Sequence, residues 1–145
     1  MELCFESIAS LEEMKEVALK FLTVFPEGGI FLLPSEMGSG KTTFCRCVIQ
    51  SLGFEFEGSP TFSIAHLYRK NNRSVALHAD LFRVKNVQEL SEMGFEDMIN
   101  DTQYLFIEWP EKALGYFNTD YFNISIAILP NGKRKFNCYK NENSQ

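Results

Sequence analysis

The residues with the clearest chemical pattern lie between Ser35 and Thr43, in the sequence Ser-Glu-Met-Gly-Ser-Gly-Lys-Thr-Thr. They follow an apolar run at residues 30–33 and precede a helix predicted over residues 43–52. A strand that leads through a glycine loop into Gly-Lys-Thr at a helix start surrounds an anion with backbone N–H groups, the helix dipole and a lysine. We therefore predict a phosphate-binding loop with these members: Met37, Gly38, Ser39, Gly40, Lys41, Thr42 and Thr43.

Two carboxylates occupy positions that suit such a loop. Asp80 follows a strand-like run at residues 74–79, and Glu108 follows another at residues 104–107. ATP binds with Mg²⁺, whose ligands are oxygens, typically the loop hydroxyl and a carboxylate at the end of a neighbouring strand. The candidate metal ligands are thus Thr42, Asp80 and Glu108. Spacing alone leaves open which acid holds the metal and which orients the attacking water.

Three further residues are candidates for contacting phosphate, although each also has a purely structural explanation. Proline restricts the residue before it to extended backbone, so Ser59-Pro60-Thr61 predicts a loop with fixed hydroxyls. Thr61 is able to sense a γ-phosphate in such a loop, or the segment is only a turn before the next strand. Arg69 and Arg83 are candidates for stabilising transferring phosphate charge, or they are ordinary surface arginines.

The elements that must position these residues alternate between helix and strand. Ser10 and Glu13 form a capping-box pattern that begins a first helix, which Gly28-Gly29 would end. Further strands are predicted at 30–33, 62–69, 74–82, 103–109, 121–129 and 135–139, and further helices at 43–52, 86–94 and 95–99. Residues 70–73 and 130–133 are typical of hairpin turns. We predict a three-layer α/β fold of the P-loop NTPase type, with a mixed, mostly parallel sheet, helices on both faces and antiparallel edge strands.

Size and composition limit the classes of protein that fit. The 145 residues predict one domain over 1–140 and a disordered tail over 141–145. A net charge of −5 argues against a stand-alone nucleic-acid binder. No apolar stretch is long enough for a membrane helix and no signal pattern is present, so we expect a cytoplasmic protein. The four cysteines lack metal-binding spacing and predict reduced structural thiols.

Five separated motifs, in this order, resemble those of the TsaE (YjeE) family, bacterial ATPases of the tRNA threonylcarbamoyladenosine pathway. They are Gly-Ser-Gly-Lys-Thr-Thr-Phe at 38–44, Ser-Pro-Thr-Phe at 59–62, His-Ala-Asp-Leu-Phe-Arg at 78–83, Glu89-Leu90 with Gly94, and Ile-Glu-Trp-Pro-Glu at 107–111. The resemblance extends over about residues 5 to 138. It implies a weak ATPase that works with TsaB and TsaD homologues, which install a threonylcarbamoyl group on the adenosine beside the tRNA anticodon. Contact with tRNA would be indirect.

The resemblance also implies roles for individual residues. Lys41 and the amides of residues 37–42 would hold the phosphates. Thr42 would bind Mg²⁺ with support from Asp80, and Glu108 would position or activate the attacking water. These roles agree with the chemistry of the residue types.

Other positions match the family less directly. Thr61 would lie on the γ-phosphate side, and Trp109 would lie beside the site or a partner surface. The family usually has glycine where Ser35 stands, often leucine at Met37 and tyrosine at Phe82. Serine disfavours the positive φ that glycine adopts without cost, so the first of these differences bears on nucleotide affinity.

Two alternative functions remain open on the sequence. A small P-loop kinase acting on a metabolite would need an acceptor pocket and usually an arginine-bearing lid, and the sequence has no arginine-rich segment of that kind. A non-hydrolysing nucleotide-binding module that reports ATP to a partner is compatible with the altered loop. A GTPase is disfavoured because no Asn-Lys-x-Asp segment is present.

Overall fold

A mixed β-sheet forms the centre of the computed structural model, which describes residues 2–34, 40–58 and 64–141. Within those residues the sheet has seven strands: β1 (Glu2–Ala9), β2 (Gly29–Leu33), β3 (Ala65–Lys70), β4 (Arg73–Asp80), β5 (Thr102–Glu108), β6 (Tyr121–Ile128) and β7 (Arg134–Asn141). The helices are α1 (Met14–Val24), α2 (Lys41–Ser51), α3 (Val87–Glu92) and α4 (Phe95–Asp101), and 3₁₀ segments span Leu11–Glu13 and Pro110–Tyr116. None of the helices in the described part of the chain has the length and apolarity that a membrane crossing requires.

The strands lie in the order β1-β7-β6-β2-β5-β4-β3 across the sheet. The neighbours β6, β2, β5 and β4 are parallel. β3 joins β4 in antiparallel orientation, and β7 lies antiparallel to both β6 and β1. Parallel neighbours need crossover connections, which place helices over the faces of the sheet. The predicted three-layer α/β fold with antiparallel edge strands is confirmed.

Each face of the sheet is covered by its own hydrophobic cluster. α1 and α2 pack on one face, where the ring of Phe21 contacts those of Phe5, Phe25, Phe31, Phe44 and Phe106. α3, α4 and the 3₁₀ segment Pro110–Tyr116 contribute Leu90, Phe95 and Ala113 to the cluster on the other face.

The alternation of side chains along β4 and β5 decides which face carries the candidate acids. Ala76 and Phe106 belong to the cluster under α1 and α2, whereas Leu77 and Ile107 belong to the opposite cluster. Successive side chains of a strand point to opposite faces, so even-numbered residues of both strands share the α1/α2 face. Asp80 and Glu108 therefore end their strands on the face that α2 covers.

Local signals in the sequence are confirmed at one hairpin turn and at one helix start. β3 ends at Lys70 and β4 begins at Arg73, while Asn71 and Asn72 have φ values of 52° and 64°. Positive φ at both central residues is typical of the type I′ turn that matches the twist of a hairpin. The predicted capping box before α1 is also supported, because the Ser10 N–H donates to the Glu13 carboxylate at 3.0 Å. That bond is the main reason that the pKa of Glu13 is lowered.

Two strands differ from the prediction. The first, β1, depends on pairing with a distant strand, and the end of β5 depends on backbone geometry at Trp109. β1 was not predicted, and it forms by pairing with β7, near the other end of the chain. Only Phe5 and Ala9 of this strand are buried, and a bulge interrupts its alternation between Leu3 and Phe5. The strand predicted to include Trp109 ends at Glu108, and a 3₁₀ segment follows it.

Other boundaries shift by a few residues. The first helix ends at Val24, before the predicted Gly28-Gly29, and α2 begins two residues earlier than predicted. Asn141, assigned by the sequence to a disordered tail, is the last residue of β7, and its side-chain amide donates to the Tyr121 hydroxyl at 2.6 Å. The rest of the predicted tail, residues 142–145, lies outside the described residues.

Candidate functional site

The candidate site lies where β2, β4 and β5 reach their carboxyl ends. β2 ends at Leu33, and α2 begins at Lys41 after Gly40, whose φ is 109°. Carboxyl ends of parallel strands together with a helix N-terminus are the usual place for phosphate groups in α/β folds. Lys41 and Thr42 lie in the first turn of α2, as the motif requires.

Part of the predicted loop is outside the described residues. Among the predicted phosphate-binding residues, Gly40, Lys41, Thr42 and Thr43 are described, whereas Met37, Gly38 and Ser39 are not. Ser35 and Thr61, with the rest of residues 59–63, also lie outside the described part. The predictions for these positions therefore remain predictions.

Lys41 is a buried cation. Its side chain is 6% exposed, and within the described part of the chain its Nζ has no hydrogen-bond partner. Nζ lies 3.7 Å from Glu108 Oε1 and 4.8 Å from the centre of the Trp109 ring. A buried ammonium without hydrogen bonds is costly, so this group has capacity for a strong acceptor such as a phosphate oxygen.

Glu108 contacts both Lys41 and His78. It is the last residue of β5 and only 4% exposed. Besides the contact of Oε1 with Lys41, its Oε2 lies 2.6 Å from His78 Nε2. The two oxygens of this carboxylate thus have different partners.

Asp80 lies beside Glu108 on the neighbouring strand. The two residues are direct partners in the register of β4 and β5. Asp80 is partly exposed, and its Oδ1 accepts a hydrogen bond from the Phe82 N–H at 3.0 Å. In the described residues no group of three or more His, Cys, Asp or Glu side chains is arranged to hold a metal. An Mg²⁺ ion at this edge would accordingly take most of its oxygens from phosphates, hydroxyls and water, which is usual for Mg²⁺.

Trp109 follows Glu108 in an unusual backbone conformation. Its φ of 53° and ψ of 60° are left-handed, a region that costs a bulky residue on the order of 1–3 kcal/mol. The ring packs against Phe82, with 5.1 Å between ring centres, and faces the Lys41 ammonium. Strain of this kind clusters at functional sites, and here it brings an aromatic face to the cation.

His78 belongs to one of the sequence motifs, but no role was predicted for it. It is fully buried and contacts Glu108. A signal for it was available: residues two apart on a strand share a face, so His78 and Asp80 had to lie on the same side of β4. What the sequence did not show was that β5 lies next to β4.

The structure separates the two candidate arginines. Arg69 lies at the hairpin end of β3, where it pairs with Ser74 and donates to the Asn72 carbonyl. Asp80 lies six residues along β4 from Ser74, about 20 Å away at ~3.3 Å per residue. Arg69 therefore has no part in the candidate site. Arg83 is exposed on the loop that follows Asp80, at the same edge as the site.

The cysteines are free thiols, as predicted. Cys45 lies one turn after Lys41 in α2, and burial raises the pKa of its thiol well above the ordinary value, with a further contribution from the Glu108 carboxylate. Burial likewise raises the pKa of Cys138 to about 12. Neither thiol is suited to act as a nucleophile at neutral pH, because the thiolate is the reactive form.

Comparison with known proteins shows the family and the fold that the chain resembles. Residues 8–136 match the family described as threonylcarbamoyl adenosine biosynthesis protein TsaE. The chain is 34% identical over 143 residues to the tRNA threonylcarbamoyladenosine biosynthesis protein TsaE of Rickettsia conorii, covering 96% of this chain and 81% of that protein. It is 32% identical over 126 residues to the protein of the same name from Borreliella burgdorferi, covering 86% and 91%. The crystal structure of Bacillus subtilis YdiB has a similar fold, with a TM-score of 0.72 at 19% identity over 96% of this chain and 86% of that one.

Proposed function

The chain belongs to the TsaE family, and on that basis we propose that it binds and hydrolyses ATP with Mg²⁺ as an accessory protein in the threonylcarbamoyladenosine modification of tRNA. One observation carries the proposal: the buried Lys41 ammonium at the start of α2 has no hydrogen-bond partner within the described residues and faces Glu108. The site thus has a cation, a helix N-terminus and acids at adjacent strand ends.

We assign the binding of the phosphates to Lys41 and to the amides of residues 37–42. A phosphate oxygen supplies the charge-assisted hydrogen bonds that Lys41 lacks, and the N-terminus of α2 adds favourable potential. Within the described residues the buried ammonium has the 3.7 Å ion pair with Glu108 but no hydrogen bond, so part of its desolvation cost is uncompensated, which supports a specific anionic ligand.

Thr42 and Asp80 are the proposed supports of Mg²⁺, with Glu108 at the adjacent strand end. Bound there, Mg²⁺ would withdraw negative charge from the phosphates. Glu108 is the proposed residue that orients or activates water, since its burial beside Lys41 keeps it close to the phosphates. We retain Thr61 as the proposed contact on the γ-phosphate side.

The proposed partners are the TsaB and TsaD homologues, with tRNA contacted through them. Family membership supports the partners, and the net charge of −5 supports indirect contact with tRNA. We propose that residues 1–140 act as one ATPase domain, since a single sheet includes strands from Glu2 to Asn141. Because the proposed pathway modifies tRNA, we place the protein in the cytoplasm.

Calorimetry with ATP and Mg²⁺ tests the nucleotide site. We expect saturable binding by the parent protein and a loss of at least about tenfold in affinity for Lys41→Ala, because a buried charge-assisted contact is worth about 1.5–3 kcal/mol. Lys70→Ala is the matched control, since Lys70 is exposed at the hairpin end of β3, far from the acids. Equal affinity in the parent and Lys41→Ala would contradict the proposed site.

A non-hydrolysing module is the second candidate function. Ser35 favours it, because the phosphate-loop pattern has glycine at this position. Phosphate release from ATP, measured with and without a TsaB–TsaD pair, separates the two functions. Release stimulated by the pair supports the ATPase, and binding without release under both conditions supports the module.

A further inference from the structure

We propose that His78 is a positioning residue for the reaction: it holds one oxygen of Glu108 so that the other is presented to water. This inference rests on the proposed ATPase function and concerns the same site. It assigns a role to a buried polar side chain that the phosphate-binding motif does not include.

The contact between the two side chains is a short, buried hydrogen bond. His78 Nε2 and Glu108 Oε2 are 2.6 Å apart, and both side chains are buried, at 0% and 6% exposure. A carboxylate oxygen only accepts hydrogen bonds, so Nε2 carries the hydrogen and donates it. Short bonds between a donor and a charged acceptor are the strong ones, and burial increases their strength.

The other ring nitrogen supports the same arrangement. His78 Nδ1 is buried and has no hydrogen-bond partner within the described residues. A buried N–H without a partner would carry an uncompensated desolvation cost, so a lone pair is favoured on that nitrogen. The ring therefore has its hydrogen on Nε2, toward Glu108.

The surroundings of His78 keep the ring in place. It lies on β4, directly beside Phe106 of β5, two residues before Glu108. The Phe56 ring stacks on it at 5.8 Å with an interplanar angle of 27°. The segment that carries Phe56 is tied to β3, because the Glu57 N–H donates to the Tyr68 hydroxyl at 3.0 Å. The His78 ring is therefore held by its position on β4 beside β5 and by the Phe56 ring packed against it.

The role of His78 follows from the fact that the two oxygens of Glu108 have different partners. Lys41 contacts Oε1 at 3.7 Å, whereas His78 contacts Oε2. When Lys41 moves to a phosphate oxygen, Oε1 loses its cation and becomes available to accept a hydrogen bond from water. Oε2 stays bound to His78, so the carboxylate keeps its orientation. Small displacements of a catalytic group cost large factors in rate, which makes this bond consequential.

Two substitutions of matched polarity test the role. His78→Gln places an amide N–H near the position of Nε2, whereas His78→Asn is shorter and places its amide near Nδ1, out of reach of Glu108. We expect His78→Asn to lower kcat for ATP by about tenfold to a hundredfold while the dissociation constant for ATP changes less than about threefold. We expect His78→Gln to retain kcat within about threefold of the parent. Thermal unfolding of both variants shows whether they fold alike.

A measurement on the nucleotide-free protein tests the bond without enzymatic activity. With ¹⁵N-labelled histidine, NMR should show the hydrogen of His78 on Nε2. A hydrogen on Nδ1 alone would overturn the inference, and so would equal kcat in parent and His78→Asn, or a His78→Gln variant as slow as His78→Asn. Absence of ATP turnover in the parent, alone and with its partners, would instead contradict the proposed function and the inference with it.

Discussion

At the scale of single residues, the centre of the site is a buried cation beside a buried carboxylate. Lys41 is buried against Glu108 and Trp109, and Nζ has no hydrogen bond within the described part of the chain. The ion pair with Glu108 compensates part of the desolvation cost of both groups. In the proposed function, an incoming phosphate would compete with that carboxylate for Lys41, so nucleotide binding would be linked to the release of Glu108 Oε1.

Glu108→Gln should separate binding from hydrolysis. The amide has the size of the carboxylate but lacks its charge and basicity, so we expect phosphate release to fall by at least about a hundredfold. ATP affinity should be retained, because removing a negative charge beside the phosphates reduces repulsion. Glu111→Ala, an exposed acid in the following 3₁₀ segment, is the control. Parental turnover by Glu108→Gln would exclude Glu108 as the residue that activates water.

At the scale of elements, a close backbone contact connects α1 with the central strands. Gly28 has a φ of 95° between α1 and β2, and a Cβ at this residue would lie 2.1 Å from the Gln103 carbonyl oxygen. Gly53, after α2, has a nearly identical φ of 98° with nothing within 4 Å of the equivalent position. The two glycines therefore differ in steric contact while their φ values are nearly the same.

The comparison of Gly28→Ala with Gly53→Ala isolates that contact. Both substitutions place alanine at positive φ, which costs about 1 kcal/mol or more of unfolding free energy. Gly28→Ala should be destabilising by at least a further ~1 kcal/mol, because the neighbour is backbone and the strands must shift. Urea unfolding of the parent and both variants measures the difference. Equal losses would mean that β2 and β5 tolerate displacement at this point.

At the scale of the whole molecule, the net charge argues against tight binding of tRNA by this chain alone. The chain carries a net charge of −5. The site lies where β4 ends, and the hairpin with Arg69 and Arg73 lies at the opposite end of that strand. Nucleic-acid affinity depends on the number of phosphates that cations neutralise, and it decreases steeply with salt. An acidic molecule is poorly suited to hold tRNA alone.

The protein alone should bind tRNA weakly. We expect fluorescence anisotropy with labelled tRNA at physiological salt to give a dissociation constant above about 0.1 mM, at or beyond the weak end of non-specific binding. Addition of a TsaB–TsaD pair should be required for any tighter association. Micromolar binding by the isolated chain, weakened by added salt, would contradict indirect contact.

The sequence by itself determined the features that depend on local order along the chain. Lys41 at a helix start, the acids at strand ends, the hairpin at Asn71-Asn72 and the layered α/β fold follow from periodicity, turn chemistry and motif spacing. The fold class follows from the order of the elements, and the other features need only neighbours within a few residues, which is why the sequence predicts them.

Only the tertiary structure decided which of these residues meet. β4 and β5 are adjacent, so Asp80 lies beside Glu108 and His78 reaches its carboxylate, whereas Arg69 lies at the opposite end of the sheet. β1 exists because β7 pairs with it. Strand order and register are set by long-range pairing and by burial of whole faces, and no local pattern in one sequence encodes which distant strand becomes the neighbour.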